Sequence, residues 1–396
     1  MQSAKAALAR TGQTGPAVFR TGGERGDKQV YSDGSERDCA QQTFEGFPPP
    51  EEGEGYSYSA GFGYLGGPQE GKGRGKSELQ IQEIHRQANI LGFAILLSIF
   101  LSNASFFLLT RLFALLSSGV VIMKNGQVLT NQFLHYFIRL LVYLAQIVIP
   151  YWVVSCLNGF RLKKDLPRGP VKGRILVPCT FILLAIGIVG IASANVLGGL
   201  ASQLNIRFVS SAEPAITSAP AYLLYFLSLS AVPAVVEEVV FRGVVLQPLR
   251  RFGDRFAVVV SAIVFAMAHQ SFVKAPNMFF VGLFLGYVAI KSGSILTTVV
   301  LHFVNNALSL VLATLQTAVS ASTYALVQNS LFALLLLLGV FSVAYLSRQD
   351  SAIFAIEDYE DTNTLTTKMV AFIGSGGFVI SLCMVAFLMA SQARIL

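Results

Sequence analysis

Three apolar stretches of the chain carry ionisable or amide side chains of the kinds that hydrolyse peptide bonds. Placing such groups in apolar surroundings costs several kcal/mol, so they usually mark a functional site or a paired structural site. They are Glu237, Glu238 and Arg242 in PAVVEEVVFR, His269 in SAIVFAMAHQ, and His302 and Asn306 in TVVLHFVNNALSL.

The spacing within each stretch predicts which side chains lie together. Glu238 and Arg242 are four residues apart, so on a helix they share a face and are expected to form an ion pair. Glu237 is rotated by about 100° from Glu238 and can face a different surface. His302 and Asn306 are again four residues apart, so one helix face presents an imidazole and an amide together.

The polar groups of the three stretches also lie at similar depth. Glu237, His269 and His302 stand eleven to fourteen residues from basic residues at the ends of their apolar stretches. At about 1.5 Å per helical residue this is about 16–21 Å from one side. We therefore expect the three side chains to converge on one water-containing pocket, together with Asn306.

A carboxylate, two imidazoles and an amide suffice to hydrolyse a peptide bond. Glu237, assisted by His269, would activate a water molecule as a general base. His302 and Asn306 would stabilise the negative charge that develops on the carbonyl oxygen. In the competing mechanism, Glu237, His269 and His302 hold a divalent metal such as zinc, since all three are suitable zinc ligands. The residue types leave both mechanisms open, so no cofactor is assigned.

The elements that must position these side chains are predicted to be membrane-spanning helices. Of 396 residues, 53% are hydrophobic and only 13% are charged, whereas soluble domains carry roughly a quarter charged residues. The formal net charge is +7. Outside the N-terminal segment, however, the basic residues lie mainly in short loops beside apolar stretches, as is typical of membrane proteins. This distribution predicts membrane lipid as the surroundings and no nucleic-acid partner.

We predict an all-α fold, a polytopic transmembrane helix bundle of about eight or nine spans after a disordered N-terminal tail. A span needs about 20 mostly apolar residues, and the fifth and sixth of nine candidates are short. The candidates are 89–117, 132–157, 175–200, 219–246, 256–272, 276–290, 294–317, 323–346 and 369–390. A short amphipathic helix is expected over SELQIQEIHRQAN, just before the first span.

This pattern divides the chain into four predicted regions. They are a disordered cytoplasmic tail (1–87), N-terminal transmembrane helices (88–210), a catalytic core (211–318) and C-terminal transmembrane helices (319–396).

Three basic clusters predict the orientation. The first cluster precedes the first span, the second is RLKKDLPRGPVKGR (161–174) and the third is RRFGDR (250–255). If the nine spans alternate regularly, all three lie on one side, which the positive-inside rule assigns to the cytoplasm. The N-terminus is therefore expected to be cytoplasmic, and the plasma membrane is the expected location.

The polar residues also resemble the motifs of a known family. EEVVFR (237–242) resembles the EExxxR signature of the CAAX-protease and bacteriocin-processing family, called CPBP or Abi. FAMAH (265–269) resembles its FxxxH motif and HFVNN (302–306) its HxxxN motif. All three motifs occur in order within neighbouring spans, over about residues 219–315. EExxxR alone would be a weak signal, and the complete ordered set is a strong one.

This resemblance implies an all-helical intramembrane protease with a cavity open to the cytoplasmic side. It implies Glu237, His269, His302 and Asn306 as catalytic residues, with supporting roles for Glu238 and Arg242. Members of the family trim prenylated CAAX proteins or are linked to bacteriocin maturation or self-immunity. They are widely labelled metalloproteases, although a metal-free glutamate mechanism is also argued for the CAAX-processing branch.

We therefore predict an intramembrane endopeptidase that hydrolyses a peptide or protein substrate, with or without an attached lipid, near the cytoplasmic face. One alternative is a non-catalytic immunity or scaffold protein of the same fold. Another is a transporter that uses Glu237 and the histidines as a proton relay. The complete set of polar residues favours the peptidase, and the absence of internal sequence repeats argues against the transporter.

Overall fold

The computed structural model describes residues 75–116, 121–124, 127–208, 216, 218–356 and 362–395. All of them lie in one compact unit, Gly46–Leu396, whereas a second unit, Met1–Glu45, is outside the described residues. Most of the predicted tail and the acidic segment 357–361 are also outside them.

The described chain is almost entirely helical. Its helices are α1 (Lys76–Leu116), α2 (Gln132–Leu157), α3 (Leu162–Asp165), α4 (Gly173–Gln203), α5 (Ala219–Phe252), α6 (Asp254–Ala268), α7 (Ala275–Ser292), α8 (Ile295–Ala318), α9 (Ala321–Gln349), α10 (Leu365–Ile373) and α11 (Gly376–Ser391). Two antiparallel ribbons pair β1 (Val121–Lys124) with β2 (Gln127–Thr130) and β3 (Ile206–Phe208) with β4 (Ala393–Ile395).

Seven described helices are long and apolar enough to cross a membrane, namely α1, α2, α4, α5, α7, α8 and α9. Helices α10 and α11 are bent by 69° and make an eighth span if counted together. The predicted polytopic all-α fold is thus confirmed with seven or eight spans. The count of nine is not supported, because α6 has only 15 residues and a span needs about 20.

The first helix begins earlier than the sequence analysis placed it. Residues 76–87, assigned to the disordered tail, form the first turns of α1, and the expected amphipathic helix is continuous with the first span. Ile84 and Gln87 are buried, and the side-chain amides of Gln87 and Asn158, the latter at the end of α2, hydrogen-bond each other. These contacts give the segment a packed face, so the boundary at residue 87 is wrong.

Contacts between loops show that the predicted basic clusters lie at one end of the helices. Arg251 forms an ion pair with Glu83 near the start of α1. The loop 161–174 contacts the α7–α8 turn, where the Gly169 N–H donates to the Gly293 carbonyl at 2.8 Å. We call this end of the molecule the basic end. Its assignment to the cytoplasm remains a prediction.

The largest cluster of buried apolar side chains surrounds the second half of α5. It joins α5 to α6, α7 and α1, with Phe241, Phe265 and Leu285 fully buried. The edge of the Phe241 ring packs against Phe265 with centroids 5.0 Å apart. This apolar packing fixes the relative positions of the helices that carry the two glutamates and His269.

Helices α1 and α11 approach each other closely through glycine. A Cβ atom built at Gly92 would lie 2.3 Å from the carbonyl oxygen of Gly377. That neighbour is backbone, so it cannot turn aside as a flexible side chain could. The bent pair therefore depends on the absence of a side chain at Gly92 for its contact with α1.

We expect Gly92→Ala to destabilise the protein by about 1–3 kcal/mol, the usual cost of overpacking a close contact. The melting temperature of the full-length protein in detergent measures this effect. Gly198→Ala in α4 is the matched control, because nothing lies within 4 Å of a Cβ there and alanine favours helix. Equal melting temperatures for the two variants would contradict the close approach of α1 and α11 at Gly92.

Candidate active site

The two glutamates lie where helix α5 changes its winding. The helix is α-helical over Val232–Glu237 and π-helical over Glu238–Val245. Single π-helical turns inside α-helices are rare and occur frequently at functional sites. The change falls between the adjacent residues Glu237 and Glu238, whose own backbone dihedrals both remain in the α-helical region.

Glu238 is completely buried and ties α5 to α8. Its Oε2 lies 3.2 Å from Nε of Arg242, which confirms the predicted ion pair. Its Oε1 accepts from Nδ1 of His302 at 2.8 Å, because an ionised carboxylate can only accept. The second contact was not predicted from the spacing. It fixes the orientation of the imidazole and directs Nε2 of His302 away from Glu238.

The aromatic ring of Phe265 contacts the Arg242 guanidinium and both histidines. The Arg242 guanidinium lies 4.7 Å from the ring centroid of Phe265, a cation–π distance. The same ring makes edge contacts with His269 and His302, at centroid distances of 4.9 Å and 5.9 Å. Phe265 therefore positions three of the predicted polar groups at once.

Glu237 is held between a tyrosine and a histidine. Its side chain is nearly buried, with 7% of the residue exposed. The Tyr143 hydroxyl donates to Oε1 at 3.0 Å, and Nε2 of His302 lies 3.8 Å from Oε2. The adjacent glutamates thus contact opposite edges of one imidazole, Glu238 at Nδ1 and Glu237 at Nε2.

A cavity of about 190 Å³ opens beside Glu237. Since a water molecule occupies about 30 Å³ in the liquid, the cavity has room for several. It is lined by Tyr143, Gln146, Ile147, Glu237, Phe241, Ala268 and His269. His269 follows the last residue of α6, and its Nδ1 hydrogen-bonds the Phe265 carbonyl at 2.9 Å. The other ring nitrogen, Nε2, is then the one available to the cavity.

Neither His302 nor Asn306 is among the residues that line this cavity. Asn306 lies one turn beyond His302 on α8, as predicted. It is partly buried, and its Oδ1 accepts from the Asn305 amide at 3.5 Å. The structure therefore brings Glu237, Glu238, Arg242 and His302 into direct contact. His269 lines the same cavity as Glu237, and Asn306 stays in the turn after His302.

The proposed metal ligands do not form a closed set. Within the described ranges, no group of three or more His, Cys, Asp and Glu side chains is placed to hold one metal ion. Nδ1 of His302 is engaged by Glu238, and Nδ1 of His269 by a backbone carbonyl. Only the Nε2 atoms remain to join Glu237 as ligands. Zinc binding by Glu237, His269 and His302 therefore stays a prediction, and no reaction step is derived from it.

Sequence reasoning missed the contribution of α2. Tyr143 and Gln146 are three residues apart in LVYLAQIVIPYW, so they share a helix face, and both line the cavity. Two hydrogen-bonding side chains on one face of an apolar span are a detectable signal. Their relation to Glu237 was not detectable, because α2 and α5 are separated by more than sixty residues.

Comparison with known proteins agrees with the motifs. The family model described as type II CAAX prenyl endopeptidase Rce1-like matches residues 219–308. No curated protein and no solved structure matches the chain. The matched range begins with α5 and extends into α8, so it contains Glu237, His269 and His302 together with Asn306. Residues 219–308 thus match the Rce1-like model of the CPBP family, in a chain with at least seven helices able to span a membrane.

Proposed function

We propose that the protein is a CAAX-type intramembrane endopeptidase in which Glu237 activates the attacking water. The observation that carries the proposal is the placement of the Glu237 carboxylate. It is oriented by Tyr143, lies near Nε2 of His302 and faces a cavity with room for water. A nearly buried carboxylate within hydrogen-bond reach of a water site is the arrangement that general-base catalysis requires.

In the proposed reaction, a water molecule in the cavity attacks the carbonyl carbon of the scissile peptide. Glu237 takes one proton from this water as the new C–O bond forms. The C–N bond then breaks, and the protonated Glu237 returns the proton to the leaving amine. The carboxylate is thereby restored, and the products are a new carboxyl terminus and a free amine. His269, which lines the same cavity, assists in orienting the water.

His302 is the first candidate for stabilising the negative charge on the carbonyl oxygen. Its ring cannot swing freely, because Glu238 accepts from Nδ1 at 2.8 Å. Since Nδ1–H already donates to Glu238, Nε2 can donate to the oxyanion only when the ring carries both protons. Donors fixed in advance stabilise a developing oxyanion better than mobile ones. Asn306 would be the second donor, although its amide contacts Asn305 in the present arrangement. Glu238 and Arg242 act through His302 and are positioning residues.

The proposed substrate is a protein or peptide with a lipid attached near its C-terminus. The cavity has an apolar part formed by Ile147, Phe241 and Ala268, and the matching family cleaves CAAX prenyl substrates by its name. Substrates would approach from the basic end, which we assign to the cytoplasm together with the N-terminus. We propose the plasma membrane as the location.

We expect Glu237→Gln to lower peptide cleavage by about 10²- to 10⁴-fold, the usual contribution of a general base. The measurement is cleavage of a farnesylated peptide ending in Cys-aliphatic-aliphatic-X by the purified full-length protein. Glu78→Gln, at the exposed start of α1, is the control and should retain activity. Unchanged activity of Glu237→Gln would remove the peptidase assignment from this site.

Repeating the assay after exhaustive metal chelation separates the two mechanisms, because the metal-free mechanism predicts full retention of peptide cleavage.

Tyr143→Phe should lower kcat by about tenfold and leave KM nearly unchanged. A hydrogen bond to a charged group is worth about 1.5–3 kcal/mol, and about 1.4 kcal/mol corresponds to tenfold in rate. The substitution removes only the hydroxyl that orients Glu237. The control is Tyr345→Phe, since Tyr345 is 45% exposed on α9. An equal loss in both variants, or a change confined to KM, would argue against the proposed role.

The same peptide without its farnesyl group should be cleaved with a KM about tenfold or more higher. The reason is that burying an apolar chain yields about 25 cal/mol per Å². Steady-state kinetics with the paired peptides measures the difference. If the unmodified peptide is cleaved equally well, the protein processes peptides without regard to lipid, and the CAAX-type proposal fails although the peptidase proposal stands.

A further inference from the structure

A second, smaller pocket lies at the basic end, away from the glutamates. Its volume is about 30 Å³, which is room for one water-sized group. It lies where α4 and α8 begin and α7 ends. Its lining residues are Pro170, Lys172, Ile175, Lys291, Ser292 and Thr297.

Two backbone hydrogen bonds between two loops, which we call the clip, hold the backbone around this pocket in place. The Gly169 N–H donates to the Gly293 carbonyl at 2.8 Å, and the Ile295 N–H donates to the Pro167 carbonyl at 3.0 Å. A Cβ atom at Gly169 would lie 2.7 Å from the Gly293 oxygen, so only glycine allows this approach. The loop that carries Lys172 is therefore fixed against the turn that follows Lys291.

The pocket is strongly positive. Lys172 is the residue before the first turn of α4, and no side chain caps that turn. The uncapped N–H groups of a long helix carry partial positive charge. Lys172 and Lys291 are both exposed, and neither takes part in the ion pairs found between described residues. The loop 161–174 contains six basic residues and one acidic residue.

One buried hydroxyl in the pocket has no protein partner. Thr297 is 1% exposed, and its Oγ1 makes no hydrogen bond within the described structure. Its own N–H is already capped by the Ser294 side chain. A buried polar group without a partner is costly, so the hydroxyl is a free donor for a ligand oxygen placed between the two lysines.

We propose that this pocket binds the phosphate monoester of an anionic lipid headgroup. One terminal phosphate oxygen would enter the pocket and accept from Thr297, while the rest of the group contacts Lys172 and Lys291. The apolar side chains of Val177 and Leu296, each 56% exposed, lie one turn or less beyond the starts of α4 and α8. They provide a surface for acyl chains, which favours a lipid over free phosphate.

This inference does not depend on the peptidase proposal. The pocket shares no lining residue with the cavity beside Glu237. Lipid binding can therefore be measured on Glu237→Gln as well as on the natural sequence, and failure of either proposal leaves the other testable.

The test is lipid binding to the full-length protein in detergent, measured by native mass spectrometry. Phosphatidic acid and phosphatidylcholine with identical acyl chains are compared, and inorganic phosphate is added in a separate arm. We expect phosphatidic acid to bind at least tenfold more tightly than phosphatidylcholine. Lys172→Gln/Lys291→Gln should lower its affinity about tenfold or more, and Thr297→Val should lower it several-fold. Lys163→Gln/Lys164→Gln removes the same amount of charge at the basic end, outside the pocket, and should leave affinity within twofold.

Three outcomes would overturn the proposal. One is equal binding of the two lipids, and another is an equal loss in the two double variants, which would indicate unspecific attraction by the loop. The third is binding of inorganic phosphate as tight as that of phosphatidic acid, which would identify a site for the free ion. Melting temperatures of the variants show whether a loss of binding reflects unfolding, and Thr297→Val, which preserves shape, decides the matter if a double variant does not fold.

Discussion

The buried charges of Glu238 and Arg242 constrain the rest of the site. Two ions removed from solvent lose hydration that their pairing and their other contacts must offset. Here the carboxylate pairs with Arg242 and accepts a hydrogen bond from His302. The guanidinium nitrogens make no hydrogen bond within the described residues, so their compensation is the ion pair and the Phe265 ring over which they lie. Three helices, α5, α6 and α8, are thereby joined through one network. Removing one member would leave a charge unpaired in an apolar interior, at a cost of about 3–5 kcal/mol.

The two neighbouring glutamates of α5 serve different purposes because their surroundings differ. On a regular helix, adjacent side chains point about 100° apart, and α5 changes from α to π winding between Glu237 and Glu238. Both carboxylates lie beside one imidazole, Glu238 at 2.8 Å from Nδ1 and Glu237 at 3.8 Å from Nε2. Glu238 is fully enclosed and acts as an anchor, whereas Glu237 borders a cavity and can meet water. The difference in surroundings, not in residue type, separates the two roles.

The sequence predicted the parts of this arrangement that follow from periodicity within a helix. The Glu238–Arg242 pair and the all-helical fold are of this kind, and the shared depth of the polar residues correctly indicated that Glu237 and His302 meet. What depends on contacts between distant helices was not predictable: the Glu238–His302 hydrogen bond, the Tyr143 hydroxyl on Glu237, and the position of Asn306 outside the cavity. The β1–β2 ribbon had a readable signal, since Asn125-Gly126 between its strands is typical of tight hairpin turns.

Helix α8 links the two functional regions of the molecule. Its first residue is clipped to the loop 161–174 through the bond from Ile295 to the Pro167 carbonyl, and two turns later His302 is bonded to Glu238. A helix held at both points has little freedom to slide along its axis. The hydrogen bond at Ile295 therefore helps to fix the depth of His302 relative to Glu237. The clip also shapes the positive pocket around Thr297. A ligand bound in this pocket would therefore stabilise the position of α8. The distance between His302 and Glu237 depends on that position.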